Sequence, residues 1–177
     1  MARERKATGM LPRASSLLLL PAMLLLASCG GTVFHEFRSI DGGSWSKGDT
    51  LAFLYDGSFD KEATGYNLSL EVRVDASYSY RNLVAKVECL SGKESSIIVA
   101  DTLCCEIFGN EGQRKGATAG ILYQVSSTPV HVESQGGDTL IVRVSHIMDA
   151  TELAGVSDVG VRLESSYGRV QHQSSEK

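Results

Sequence analysis

Along most of this chain apolar and polar residues alternate with a period of two. The clearest case is YNLSLEVRVD, from Tyr66 to Asp75. Leu68, Leu70, Val72 and Val74 face one way there, and Asn67, Ser69, Glu71 and Arg73 face the other, as in a half-buried antiparallel strand. NLVAKVECL repeats the pattern with Leu83, Ala85, Val87 and Cys89 on one face. In TLIVRVSHI, Leu140, Val142 and Val144 point inward and Arg143 outward. TLAFLY (Thr50 to Tyr55), ILYQV, VHVE and VSDVGVRLE read as further strands, and Ser96 to Ile107 as one or two more. VFHEFRSI is a candidate first strand, with Phe34 and Ile40 on one face and Val33 and Phe37 on the other. These segments recur at roughly ten-residue spacing with Gly, Asn, Asp and Ser between them. The expectation is an all-β protein, an antiparallel β-sandwich of jelly-roll-like type. No helical period persists beyond two turns, and HIMDATELAG is the one short helix expected. DGGSWSKGD reads as a turn-rich loop carrying Trp45.

The N-terminus departs from this alternation. Leu17 to Ala27 is a run of 11 residues without a charge. At about 1.5 Å per residue it reaches only about half of a hydrocarbon core about 30 Å thick. Arg3, Arg5, Lys6 and Arg13 precede it against the single acid Glu4. A basic n-region, a short leucine core and small residues at its end make a secretory signal. Leu26-Ala27-Ser28-Cys29 is more specific and resembles the lipobox of bacterial lipoprotein signal peptides. That resemblance implies cleavage before Cys29, a diacylglycerol thioether on its sulfur, and acylation of the new amino group. Several acyl chains hold a protein firmly where one does not. Gly30 and Gly31 follow, with no aspartate of the inner-membrane retention type and no acidic run of the surface-export type, so an outer-membrane anchor facing the periplasm is expected. The organisation read from the chain is a signal peptide over 1–28, a lipidated N-terminus and tether over 29–48, the sandwich over 49–164 and a polar tail over 165–177.

Charge narrows the partners. The chain carries 17 Lys and Arg against 21 Asp and Glu, and the signal removes 4 and 1 of them. The mature chain therefore holds 13 and 20, a net charge of −7. No basic block is present for phosphate backbones, so nucleic acid is not an expected partner. Three cysteines remain behind the lipid site: Cys89, Cys104 and Cys105. Adjacent cysteines on a strand point to opposite faces, so at most one of Cys104 and Cys105 readily faces Cys89. A Cys89–Cys105 bridge is open to the chain, and free buried thiols are the preferred reading.

No catalytic or metal-binding constellation emerges. Ser44-Trp45-Ser46-Lys47 has Ser-x-x-Lys spelling without the partner motifs of penicillin-interacting enzymes. Asp56, Ser58, Asp60 and Glu62 alternate like the start of a calcium loop that lacks its sixth-position glycine and twelfth-position acid. Gly109 to Gly120 is glycine-rich but has no Gly-Lys-Ser/Thr closure, and reads as a mobile surface loop. His35, His131, His146 and His172 show no metal-ligand spacing. No enzyme activity, cofactor, metal or small-molecule substrate is expected.

RVDASYSYRNL, Arg73 to Leu83, is distinctive: a strand bearing an arginine runs into a turn with two tyrosines, and Asn-Leu restarts the next strand. Trp45 precedes Lys47-Gly48-Asp49-Thr50, Asp101-Thr102-Leu103 follows later, and LAGVSDVGVR spans Leu153 to Arg162. In this order, and behind the lipobox, these motifs resemble the gliding motility lipoprotein GldH family. One segment departs from its pattern. Where the family tends to carry Asp-Pro-Asp-Gly followed by a tryptophan, this chain has Gly109-Asn110-Glu111-Gly112 and then Arg114. The resemblance implies an outer-membrane-associated lipoprotein needed for gliding and linked to type IX secretion, with no enzymatic activity or cofactor. The expected partners are the bilayer, through acylated Cys29, and an envelope protein complex. Trp45, Arg73, Tyr78, Tyr80 and Asn82 form the candidate binding surface. Arg73 is expected to reach a carboxylate or turn carbonyls, and Asn82 to cap the turn. The competing readings are a lipid-anchored carbohydrate- or peptidoglycan-binding sandwich, with Trp45, Tyr78 and Tyr80 stacking on sugars, and tyrosines that simply pack the turn.

Overall fold

The structure, a computed structural model, describes residues 31–134 and 137–167. The signal peptide, Cys29, His172 and most of the polar tail lie outside the described residues. Strands are β1 (Thr32–Ser39), β2 (Ser44–Ser46), β3 (Leu51–Asp56), β4 (Gly65–Val74), β5 (Asn82–Ser91) and β6 (Ile97–Glu106). They continue with β7 (Ala117–Ala119), β8 (Leu122–Ser126), β9 (Val130–Glu133), β10 (Thr139–His146), β11 (Glu152–Ala154) and β12 (Val156–Ser166).

Two antiparallel sheets hold the long strands. One has six strands in the order β1-β12-β4-β8-β7, with β9 also pairing β4; the other has four in the order β3-β10-β5-β6. β8 and β9 pair successive halves of β4 and act as one interrupted strand. With those two taken together, the chain passes from sheet to sheet in the order of a jelly roll of two Greek keys, as the alternation predicts. A long strand of this type needs its partner sheet, because a single sheet leaves one apolar face in water.

The inward faces are the ones the sequence pattern marks. Leu68, Leu70, Val72 and Val74 of β4 and Val159, Val161 and Leu163 of β12 are buried. They meet Leu83, Val87 and Cys89 of β5, Leu140, Val142 and Val144 of β10 and Phe53 of β3 in one apolar cluster. Burying each such aliphatic side chain contributes about 1.5–3 kcal/mol.

Several expectations are corrected. The stretch read as a tether is largely folded: β1 pairs with β12 along Thr32–Ser39, so the sandwich begins well before residue 49 and, through Ser166, runs past 164. The loop carrying Trp45 is strand β2, and the expected helix at HIMDATELAG contains strand β11, which pairs with it. Trp45 and Leu153 stand opposite each other in that pair and are both fully buried. Their apolar side chains are worth more inside the core than helical hydrogen bonds in a segment too short to nucleate alone. The glycine-rich segment 109–120 is partly ordered, with a Phe108–Arg114 bridge and strand β7.

The outward face of β4 is the largest departure. Ser69 and Glu71 are buried although they stand on the side away from the core. Ser69 stands opposite Arg162, and Glu71 stands opposite Gly160 on β12, which has Phe37 of β1 on its other side. A Cβ at Gly160 would lie 2.6 Å from a Phe37 ring carbon. Its absence lets that ring lie across β12 and reach the guanidinium of Arg73 on β4, 3.7 Å from ring centre to Cζ.

Candidate functional site

The turn after β4 is built by its own side chains. Asp75 Oδ1 accepts from Ser77 N at 2.7 Å and from Ser77 Oγ at 2.6 Å, an Asx turn. The Ser77 hydrogen bonds hold the Asp75 carboxyl below its ordinary range. Behind the turn passes Gly155, with φ at +83° and a virtual Cβ 2.4 Å from Tyr78 N, a position that only glycine fills. Asp75 N donates to Gly155 O at 2.9 Å and ties the turn to β12.

The two tyrosines separate. Tyr78 turns into the core, 1 % exposed, and its hydroxyl donates to Asn82 O at 2.9 Å. Burial pushes the Tyr78 phenol well above its ordinary pKa. Tyr80 is 40 % exposed and packs edge-on against Tyr78, with ring centres 5.7 Å apart. The rings are neighbours, as their spacing suggests, but one is buried and the other exposed, so they do not form a paired aromatic surface. Asn82 does not cap the turn. Its carbonyl receives Tyr78, its Oδ1 has no partner, and the capping falls to Asp75.

Arg114 locks the next loop onto this turn. Its guanidinium lies 4.7 Å from the Phe108 ring and 4.6 Å from the Tyr123 ring, and it donates to Asp75 O at 3.3 Å and Ala76 O at 3.2 Å. Near the position where the resemblance implies a tryptophan, a planar cation stands between two rings. Outside it, Arg81 reaches Asn110 and lies 3.8 Å from Glu106, while Lys115 pairs with Glu106. The Lys115 hydrogen bond holds the Glu106 carboxyl below its ordinary range. Tyr80, Arg81, Asn110 and Lys115 are exposed at this end of the sandwich.

Arg73 belongs to a different constellation. Its Nε donates to Gln124 Oε1 at 3.0 Å, and Gln124 Nε2 donates to Glu71 Oε2 at 2.8 Å. The same Glu71 oxygen lies 3.0 Å from His35 Nε2, and Glu71 Oε1 lies 3.1 Å from Arg162 Nε. Arg73 thus meets an amide and a ring rather than the carboxylate or turn carbonyls expected of it. A carboxylate removed from water and engaged on both oxygens fixes the packing of β1, β12, β4 and β8. Sequence pattern marks Glu71 only as an outward residue, because its partners arrive from three other strands.

Trp45 is no more available than Tyr78. It is fully buried against His146, ring centres 5.2 Å apart, and burial holds the His146 pKa below its ordinary value. Cys89, Cys104 and Cys105 are free thiols, with Cys104 exposed and the other two buried on the opposite face. Among the described residues no group of three or more His, Cys, Asp or Glu is placed to hold a metal ion. At the opposite end of the sandwich a groove of about 1100 Å³ opens, lined among others by Lys61, Thr64, Lys93, His131, Glu133 and Asp138. Among its described lining residues there is no Phe, Tyr or Trp.

The outer face of the four-stranded sheet carries a feature that the strand assignments pass over. Leu54, Ile141, Leu90 and Ile97 stand in register across β3, β10, β5 and β6, an apolar row at outward positions. Leu54 is 61 % exposed and Ile97 56 %. The signal in the sequence is the break of alternation, an apolar residue at each strand's polar phase.

Among the described residues the fold is an all-β jelly roll, and the polar clusters of the site tie its strands and loops together. The model of the GldH lipoprotein family matches residues 32–163, from β1 to β12, and the chain belongs to that family. GldH lipoproteins are not a known enzyme family. No curated protein sequence matches the chain. Among solved structures it is similar to Eiger TNF from S. frugiperda, at 9 % identity over 78 % of this chain and 95 % of that one, with a TM-score of 0.34. It is also similar to a CocE/NonD family hydrolase from Staphylococcus aureus, at 12 % identity over 77 % of this chain and 32 % of that one, TM-score 0.35. A chain of infectious bursal disease virus Gx strain is similar at 11 % identity over 77 % and 32 %, TM-score 0.32. Likenesses this distant say nothing about what the chain binds.

Proposed function

We propose that the mature chain is lipidated at Cys29, sits in the outer membrane facing the periplasm, and serves as a non-catalytic docking component of gliding motility or type IX secretion-linked envelope machinery. The observation that carries this reading is the GldH match across the whole jelly roll, immediately behind the Leu-Ala-Ser-Cys spelling. Among the described residues no helix is long and apolar enough to cross a membrane, so the acyl chains of Cys29 supply the hold in this proposal. The docking surface is Tyr80 and Arg81, exposed on a turn held by Asp75 and Tyr78, with Asn110 and Lys115 on the next loop, which Arg114 ties to that turn. A rigid turn presents an aromatic and a cation with little ordering entropy to lose on binding. The carbohydrate reading loses its support, since Trp45 and Tyr78 are core residues and cannot stack on a sugar.

Cross-linking in native envelopes tests the proposal. The wild-type chain is expected to take up palmitate and to capture a component of the gliding or secretion machinery. Cys29→Ala is expected to do neither and to accumulate as precursor. Equal palmitate labelling of the two chains, or a wild type that captures no such component, would overturn the reading.

A further inference from the structure

The two ends of the jelly roll are not equivalent with respect to Cys29. Gly31 already belongs to the fold: its carbonyl accepts from Ser165 N at 2.7 Å, at the close of β12. Two peptide steps separate Cys29 from Gly31, at most about 7.6 Å between Cα atoms. Thr64 N donates to Ser166 O at 2.9 Å, and Gly65 pairs with Glu133, which brings the start of β4 and the end of β9 to the same place. The groove lined by Lys61, Thr64, Lys93 and Glu133 opens there. The turn of Tyr80 and Arg81 lies beyond the other end of β4, a strand of 10 residues. At about 3.3 Å per residue the two ends are about 30 Å apart.

We propose that the end of the sandwich around Lys61 to Thr64, Glu133 and the turn between β5 and β6 lies against the headgroups of zwitterionic phospholipids, with its groove opening onto them. The Tyr80–Arg81 turn is thereby presented outward, away from the bilayer. This inference rests on lipidation of Cys29, and it commits the protein to one orientation. A thioether-linked diacylglycerol keeps Cys29 at the interface, and a tether of two peptide steps cannot let the Gly31 end swing away. The chemistry of that end fits a zwitterionic layer. The groove is lined by Lys61, by Lys93 in an ion pair with Asp138, and by the carboxylates of Glu62, Glu94 and Glu133, so that it offers both signs of charge to phosphate and amine. Carboxylates outnumber cations, which disfavours an anionic surface. Tyr167, 61 % exposed just after β12, supplies the amphipathic ring suited to an interface.

Fluorescence quenching in vesicles tests this orientation. The lipidated full-length chain is placed in phosphatidylcholine–phosphatidylethanolamine vesicles containing a lipid with a nitroxide headgroup. Trp45, the only tryptophan of the chain, sits at the far end and is expected to stay bright. Glu62→Trp and, in a separate chain, Lys93→Trp are expected to add emission that the nitroxide largely removes. Inserting about 12 Gly/Ser residues between Gly30 and Gly31, a coil reaching about 20 Å, is expected to restore that emission while the chain stays on the vesicle. Unquenched emission from both added indoles, with mass spectrometry showing lipid on Cys29, would overturn the orientation alone, as would Trp45 quenched as strongly as they are. A Cys29 without lipid would overturn the anchoring reading and this one with it.

Discussion

Two polar clusters grow from the same strand and are used in opposite ways. Midway along β4, Glu71 is closed in by Gln124, His35 and Arg162, and its outward side chain is 2 % exposed. Where the strand ends, the turn sends Tyr78 inward to Asn82 O and leaves Tyr80 and Arg81 in water. The first cluster contains the residues that resemble chemistry: a carboxylate, an imidazole and two guanidiniums. Every one of them is spent on holding four strands together. The second has modest chemistry and stays at the surface, its Arg81 and Lys115 held only by surface partners. Availability, more than residue type, marks the surface proposed to meet a partner.

The comparison breaks most visibly at Tyr78. Tyr78→Ala removes a buried ring and is expected to cost about 3–5 kcal/mol, lowering the thermal midpoint by roughly 10 °C or more. Tyr78→Phe removes only the hydroxyl donated to Asn82 O and is expected to cost about 1 kcal/mol. Thermal unfolding followed by circular dichroism checks both, and equal small effects would place the ring outside the core.

Next come the residues that close the Glu71 cluster. Glu71→Ala removes the buried carboxylate shared by Arg162, His35 and Gln124 and leaves Arg162 only the partly exposed Glu164. The loss is expected to be about 2 kcal/mol, below the about 3–5 kcal/mol of a fully buried pair, since the Arg162 and His35 side chains are partly solvated. Gly160→Ala drives a methyl into the Phe37 ring and is expected to cost about 1–3 kcal/mol. Urea unfolding measures both. Full stability in both variants would show that the outer face of β4 is not held closed.

Smaller effects follow from three buried titrating groups. Burial holds the His146 pKa below about 6.5, so the unfolded chain binds a proton that the folded chain refuses. Stability from this histidine is complete above that pH and is lost as the pH falls below it. The thermal midpoint is expected to drop between pH 7 and pH 5, and the drop to shrink in His146→Leu; identical slopes would exclude His146 as its source. Burial also pushes Cys89 up to about 11 and Cys105 up to about 12. At pH 8 a maleimide is therefore expected to label Cys104 on the folded protein, and the other two only after unfolding, as read by mass spectrometry.

The strands and their inward faces are legible in the sequence because alternation is a local property. Leu68 to Val74 and Leu140 to Val144 carry it within one segment each. Trp45 is not legible in this way, since Gly, Ser and Lys around it imitate a loop and only β11, more than a hundred residues on, makes it a core residue. The burial of Glu71 depends on a glycine in β12 and a phenylalanine in β1, which no window along β4 contains. Tyr78 and Tyr80 stand as neighbours, as their spacing suggests, but the burial of one and the exposure of the other depend on the core behind the turn, which no local spacing contains. The apolar row from Leu54 to Ile97 leaves a trace in each strand, but it becomes a row only when the register of four strands is known.

The smallest expected effect on stability carries the central claim. Tyr80→Ala combined with Arg81→Ala removes exposed side chains and is expected to change stability by no more than about 0.5 kcal/mol. The decisive measurement is recovery of the partner complex from native envelopes by this double variant, beside Tyr78→Phe and the wild type, each with its thermal midpoint. The account predicts that the double variant keeps its midpoint and loses the complex, while Tyr78→Phe, slightly destabilised, keeps it. Undiminished recovery by the folded double variant would contradict the account.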